Sequence, residues 1–127
     1  MAIDPLMSIL VVDDYQTMVR IVRGLLSQIG LENVDDAPNG SAALEKLKTK
    51  KYDLVISDWN MQPVTGIELL QTVRADASLA DTRFIMVTAE SKTDNVLAAK
   101  RAGVDNYIVK PFNAKILKAK IEAVCQQ

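Results

Sequence analysis

Five short apolar runs alternate with five stretches of helical periodicity along the 127 residues. Few folds accommodate that order. Ser8–Val12 reads as a first strand and runs straight into Asp13-Asp14. Helix 1 is expected over Gln16–Ile29, with Met18, Ile21, Val22, Leu25 and Ile29 at helical spacing and Gly30 as its stop. Asn33–Ala37 is a weak strand. Pro38-Asn39-Gly40 is turn chemistry, and Asn39 can cap a second helix running to about Lys50. That helix would bury Ala43, Leu44 and Leu47 and turn Glu45, Lys46 and Lys48 to water. Strand 3 is the apolar run that ends at Asp58. Helix 3 is expected over Ile67–Ala75, with Ile67, Leu70 and Val73 inward. Strand 4 is expected over Arg83–Val87, ending at Thr88. Helix 4 then spans about Lys92–Ala102, stopped by Gly103. Strand 5 covers Val104–Val109 and ends at Lys110-Pro111. Helix 5 starts near Asn113 and carries Leu117, Ile121 and Val124 inward. Alternation with short connections predicts an α/β fold, a parallel sheet covered on both faces by helices. Right-handed crossovers make a flavodoxin-like, doubly wound (βα)5 sheet the natural arrangement.

Composition narrows the chemistry. The length suits one domain, expected over residues 8–127, after a loose, patternless leader at 1–7. The absence of His excludes His-based acid–base catalysis, Ser-His-Asp triads and His-containing zinc sites. The single cysteine, Cys125, rules out an intrachain disulfide and reads as a small, partly buried side chain. A net charge of −1 gives no global pull toward nucleic acid or an anionic membrane. No apolar run approaches the ~20 residues of a membrane span, and the N-terminus lacks a signal peptide's pattern. A cytoplasmic protein is expected.

The strand ends carry the polar groups. Ligands of open parallel sheets bind just beyond the carboxyl ends of the strands. There the sequence places Asp13 and Asp14, Asp58, Thr88 and Lys110. Singly, each has a plainer role: Asp as a turn former or helix cap, Thr88 as a strand-end residue, Lys110 as a solvated lysine. Jointly they are three carboxylates, a hydroxyl and one ammonium on one rim. Two like charges about 4 Å apart repel by ~4 kcal/mol at an effective dielectric of 20. Such a group calls for a raised pKa or a bound cation. With oxygen ligands and a phosphate-type partner, that cation is Mg²⁺. An aspartate can then act as nucleophile and become an aspartyl-phosphate. Thr88 and Lys110 would contact the phosphoryl group.

Four segments carry a resemblance: Leu10-Val11-Val12-Asp13-Asp14, Val55-Ile56-Ser57-Asp58-Trp59-Asn60-Met61, Met86-Val87-Thr88-Ala89-Glu90 and Val109-Lys110-Pro111-Phe112. Together they are specific, and the chain resembles the receiver domain of bacterial two-component response regulators from about Ser8 to Val124, most nearly its stand-alone chemotaxis members. The resemblance implies phosphorylation on Asp58. It implies Mg²⁺ held by Asp14 and Asp58, by Asp13 directly or through water, and by the Asn60 backbone carbonyl. It implies Thr88 and Tyr107 as switch residues, a cis Lys110–Pro111 bond, and Asn60 and Glu90 as tuners of dephosphorylation. The partner surface would be helix 4, strand 5 and helix 5, with Lys92, Val96, Tyr107 and Lys120. The implied partners are a histidine kinase (CheA-like) as phosphodonor and a flagellar switch protein or other phospho-dependent target, with the chain itself a monomer. It would catalyse its own phosphorylation and dephosphorylation without being a turnover enzyme. One departure is local: Gln62 stands where the pattern has proline, and Pro63 follows.

Other readings stay open at this stage. A haloacid-dehalogenase-type phosphatase shares the Asp nucleophile and Mg²⁺ but usually has a second Asp where this chain has Asn60. A flavodoxin-like cofactor carrier needs a Ser-, Thr- or Gly-rich loop after strand 1, where Asp13-Asp14 would repel a phosphate. A stand-alone phosphorelay or cell-cycle receiver differs only in its partners.

Overall fold

A computed structural model describes residues 3–59, 61, 64–89 and 93–125, without the side chains of Ala89 and of residues 93–96. The elements are β1 (Ile9–Val12), α1 (Gln16–Ile29), β2 (Val34–Ala37), α2 (Gly40–Thr49), β3 (Leu54–Asp58), α3 (Gly66–Ala75), β4 (Arg83–Ala89), α4 (Thr93–Arg101), β5 (Asn106–Lys110) and α5 (Ala114–Cys125). All strand pairs are parallel, in the order β2-β1-β3-β4-β5. The doubly wound sheet expected from the alternation is the observed fold.

Strands β1 and β3 are buried along their whole length, so they read as unbroken apolar runs. Their side chains alternate between two cores. Ile9, Val11, Leu54, Ile56 and Ile108 pack with α1 and α5 through Val22, Leu26, Leu117, Ile121 and Val124. Leu10, Val12, Val55, Phe84 and Met86 pack with α2 and α3 through Ala43, Leu47, Leu69, Leu70 and Val73. Strand β2 is an edge strand, which explains its polar sequence Val-Asp-Asp-Ala. Its carboxylates are both paired, Asp35 with Lys50 and the Tyr52 hydroxyl, Asp36 with Arg23. The Tyr52 bond and the lysine hold the Asp35 carboxyl below its usual range.

The caps follow their sequence signals. Asn39 accepts from the Ala42 amide, and the Asn113 side chain accepts from the Ile116 amide. Gly30 and Gly103 take left-handed φ of 98° and 93°. Several expectations are corrected. Ile21 is 49% exposed, and Val19 and Leu26 are buried instead, because the helix face turned inward is set by α1's packing on the sheet. Lys46 does not simply face water; its ammonium donates to the Asp36 carbonyl. Strand β4 runs two residues past Val87. Strand β5 starts only at Asn106, because Asp105 turns its side chain back to the Phe84 amide. Of the expected leader, Met7 is buried and Ile3 packs on the same core, while the Asn33 amide donates to the Leu6 carbonyl. Among the described residues no helix is long and apolar enough to cross a membrane.

Candidate functional site

The carboxyl ends of β1, β3, β4 and β5 meet at one rim. Side-chain alternation divides the polar groups there. Asp13, Asp58 and Lys110 share the parity of Val11, Ile56 and Ile108, and so belong to the α1–α5 face. Thr88 and Tyr107 share the parity of Met86 and belong to the other face. Thr88 and Tyr107 thus share the face of the sheet opposite the one that carries Asp13, Asp58 and Lys110.

On the first face, one carboxylate oxygen each of Asp13, Asp14 and Asp58 lies within 4.8 Å of the others. Asp13 and Asp58 are buried and Asp14 is exposed. Lys110 Nζ lies 2.9 Å from Asp58 Oδ1. Asp13 does not cap α1 in the usual sense. Tyr15 is the boundary residue and offers no side-chain cap, while Asp13 Oδ1 accepts the Tyr15 amide at 2.9 Å. Burial pushes the Asp13 carboxyl up to about 6, against the pull of that amide; the charges of Asp58 and Asp14 add to the rise and Lys110 opposes it. One ammonium facing three carboxylates is the situation in which a divalent cation with a preference for oxygen fits. The donor set, all carboxylate and open to water through Asp14, suits Mg²⁺ better than a thiolate- or imidazole-seeking metal.

The Asp58 backbone is fixed from two sides. The Ser57 hydroxyl donates to its carbonyl at 3.0 Å. A Cβ on Gly66 would stand 2.3 Å from that same oxygen, so the α3 N-terminus seats against Asp58 only through a glycine. The Gly66 amide donates to the Trp59 carbonyl at 2.9 Å. Thr65 and Glu68 close a capping box at the helix start. The sequence alone assigns Ser57 no role. A serine inside an apolar strand was the available signal.

On the second face, Thr88 is 3% exposed and its hydroxyl has no hydrogen-bond partner among the described residues. An unpaired buried hydroxyl costs ~1–3 kcal/mol and is open to a new acceptor. Tyr107 is half-buried, and Lys120 Nζ lies 4.9 Å from its ring centre. The Lys110–Pro111 bond is cis. Asn60, the Gln62-Pro63 departure, Glu90, Lys92 and the side chain of Val96 lie outside the described residues. On α4 the exposed apolar side chain among those described is Leu97, at 50%.

A family model described as "Response regulator receiver domain" matches residues 9–122. The chain is 46% identical over 121 residues to a Pseudomonas aeruginosa protein named Chemotaxis protein CheY, covering 95% of this chain and 98% of that protein. It is 45% identical to Chemotaxis protein CheY-3 of Vibrio cholerae, covering 95% and 93%. The high-resolution structure of the chemotaxis response regulator CheY4 of Vibrio cholerae superposes with a TM-score of 0.85 at 32% identity, covering 94% of this chain and 98% of that one.

Proposed function

Because the chain belongs to the response regulator receiver domain family, we propose that Asp58 accepts a phosphoryl group and that the change is passed to the face made by α4, β5 and α5. The observation that carries this reading is the contact of Lys110 Nζ with Asp58 Oδ1 at 2.9 Å, inside a group of three carboxylates. The donor is a histidine kinase, in which the phosphorus–nitrogen bond of a phosphohistidine breaks as an Asp58 oxygen bonds to phosphorus. Lys110 holds the Asp58 carboxylate in place through that contact before the transfer, and afterwards faces the new phosphoryl oxygens. Asp13, Asp14 and Asp58 would hold Mg²⁺, with the Asn60 carbonyl as a further ligand. When bound, it neutralises charge on the transferring group. The Thr88 hydroxyl, unpaired before transfer, would then donate to a phosphoryl oxygen. Tyr107 turns inward in response, and the surface of Lys92, Val96, Tyr107 and Lys120 changes affinity for its target. Asn60 and Glu90 tune hydrolysis of the acyl phosphate. The protein thus acts once per phosphorylation and is not a turnover enzyme.

Chemotaxis is the setting best supported, since two curated relatives at 45–46% identity are named as chemotaxis proteins. There the donor is a CheA-like kinase and the target a flagellar switch protein. The test is incubation with acetyl phosphate and Mg²⁺ followed by mass spectrometry. One added phosphoryl group is expected on the parent protein and none on Asp58→Asn. Normal uptake by Asp58→Asn would end the proposal.

A further inference from the structure

The contact between Lys120 and Tyr107 has no part in phosphoryl transfer. Tyr107 lies on β5, the edge strand opposite β2, and packs partly against the α2–α3 core. Lys120 belongs to α5, the helix on the opposite face. The two meet around the open edge of the sheet, with the ammonium 4.9 Å from the ring centre. Asn106 braces the same junction. Its Oδ1 accepts the Tyr107 amide at 2.9 Å, and its Nδ2 reaches toward the Lys120 carbonyl at 3.5 Å. The backbones of the two residues are therefore held together while their side chains stack. An ammonium over an aromatic face is attracted by the ring quadrupole, and the attraction is lost when the ring turns away.

We propose that Lys120 is a positioning residue that holds Tyr107 in the half-buried orientation it takes beneath the ammonium, so that rotation of the ring must break the stack. The proposal rests on the reading of Tyr107 as the switch aromatic. It gives Lys120 a second task besides meeting a partner: setting how much of the protein occupies the switched state before phosphorylation. An attraction of the size usual at a half-exposed site changes the ratio of rotated to stacked ring about two- to five-fold.

The experiment follows the Tyr107 ring by NMR in protein labelled with fluorotyrosine, with Tyr15 and Tyr52 assigned through their phenylalanine variants. Spectra are recorded without ligand and with Mg²⁺ and beryllofluoride, a phosphoryl mimic. Lys120→Met keeps the chain length and removes the cation; Lys120→Arg keeps the cation. Without ligand, the Lys120→Met signal should move toward the beryllofluoride position by a two- to five-fold population gain, and Lys120→Arg should stay with the parent. If Lys120→Met matches the parent while beryllofluoride still moves the ring in both, the clamp is refuted and the switch reading survives. If beryllofluoride moves the Tyr107 signal in no variant, the switch reading fails and the clamp falls with it.

Discussion

At the scale of single residues, Asp13 carries a measurable conflict. Its carboxyl is 5% exposed and pushed up to about 6, mainly by burial. Folding therefore favours the protonated form. That contribution is complete below the unfolded value near 3.8 and is lost as pH rises through about 6. Without divalent cation, Asp13→Asn should be more stable than the parent at pH 8 by up to about 3 kcal/mol. The advantage should vanish near pH 4, where the parent carboxyl is neutral. Added Mg²⁺ should shrink it, because a bound cation favours the ionised form. Urea unfolding at the two pH values, with and without Mg²⁺, reads all three effects, and an Asn variant no more stable at pH 8 would refute the conflict. The existence of this pocket was legible in the sequence, since Asp13, Asp14, Asp58 and Lys110 each stand at the end of an apolar run. The Lys120–Tyr107 stack was not. Thirteen positions separate the two residues, and only the edge position of β5 brings α5's lysine around to the ring.

Among the elements, those with a clear period were the easiest to place in the sequence. Helix α1 has the expected bounds, yet its buried face was misjudged at Ile21, because an apolar side chain outside the packed stripe leaves no mark in a one-dimensional pattern. The boundary of β5 was missed for another reason. Asp105 accepts both the Phe84 amide and Arg74 Nη2, each at 2.8 Å, so the segment before Asn106 is shaped by a tertiary contact. Arg74, at the end of α3, also donates to the carbonyls of Gly103, Ala80 and Thr82. One guanidinium thus ties α3 to the turn before β4 and to the turn after α4. Lysine cannot span these acceptors, having one nitrogen in place of a planar fork. Arg74→Lys should cost about 2 kcal/mol and speed hydrogen exchange at Gly103, Val104 and Asp105. Phosphorylation at Asp58 should proceed at the parent rate, since Arg74 serves the amino ends of β4 and β5. Unchanged exchange at those amides would show that the fork is dispensable.

The whole molecule joins a parallel sheet, which gathers strand ends on one rim, to a charge set that does not balance there. Lys110 compensates part of the field of Asp13, Asp14 and Asp58, and Asp14 is left exposed to solvent. A cation that binds the folded rim and not the unfolded chain must stabilise the entire domain, by about 2.7 kcal/mol at a hundredfold excess over its dissociation constant. For a domain of this size, that corresponds to a rise of roughly 5–15 °C in melting temperature. Ionic strength alone acts differently. It screens surface charges but reaches buried ones weakly, and Asp13 and Asp58 are only 5% and 7% exposed. Melting curves should therefore rise with Mg²⁺ and saturate, while NaCl of equal ionic strength gives a small effect without saturation. Trp59, beside Asp58 in sequence and half-buried, should change fluorescence along the same Mg²⁺ curve. In Asp13→Asn the saturating rise should be smaller and need more Mg²⁺, since one carboxylate of the set is gone. If NaCl reproduced the Mg²⁺ curve, the rim would be a screened acidic patch, and the repulsion among its carboxylates would be balanced by the protein's own groups.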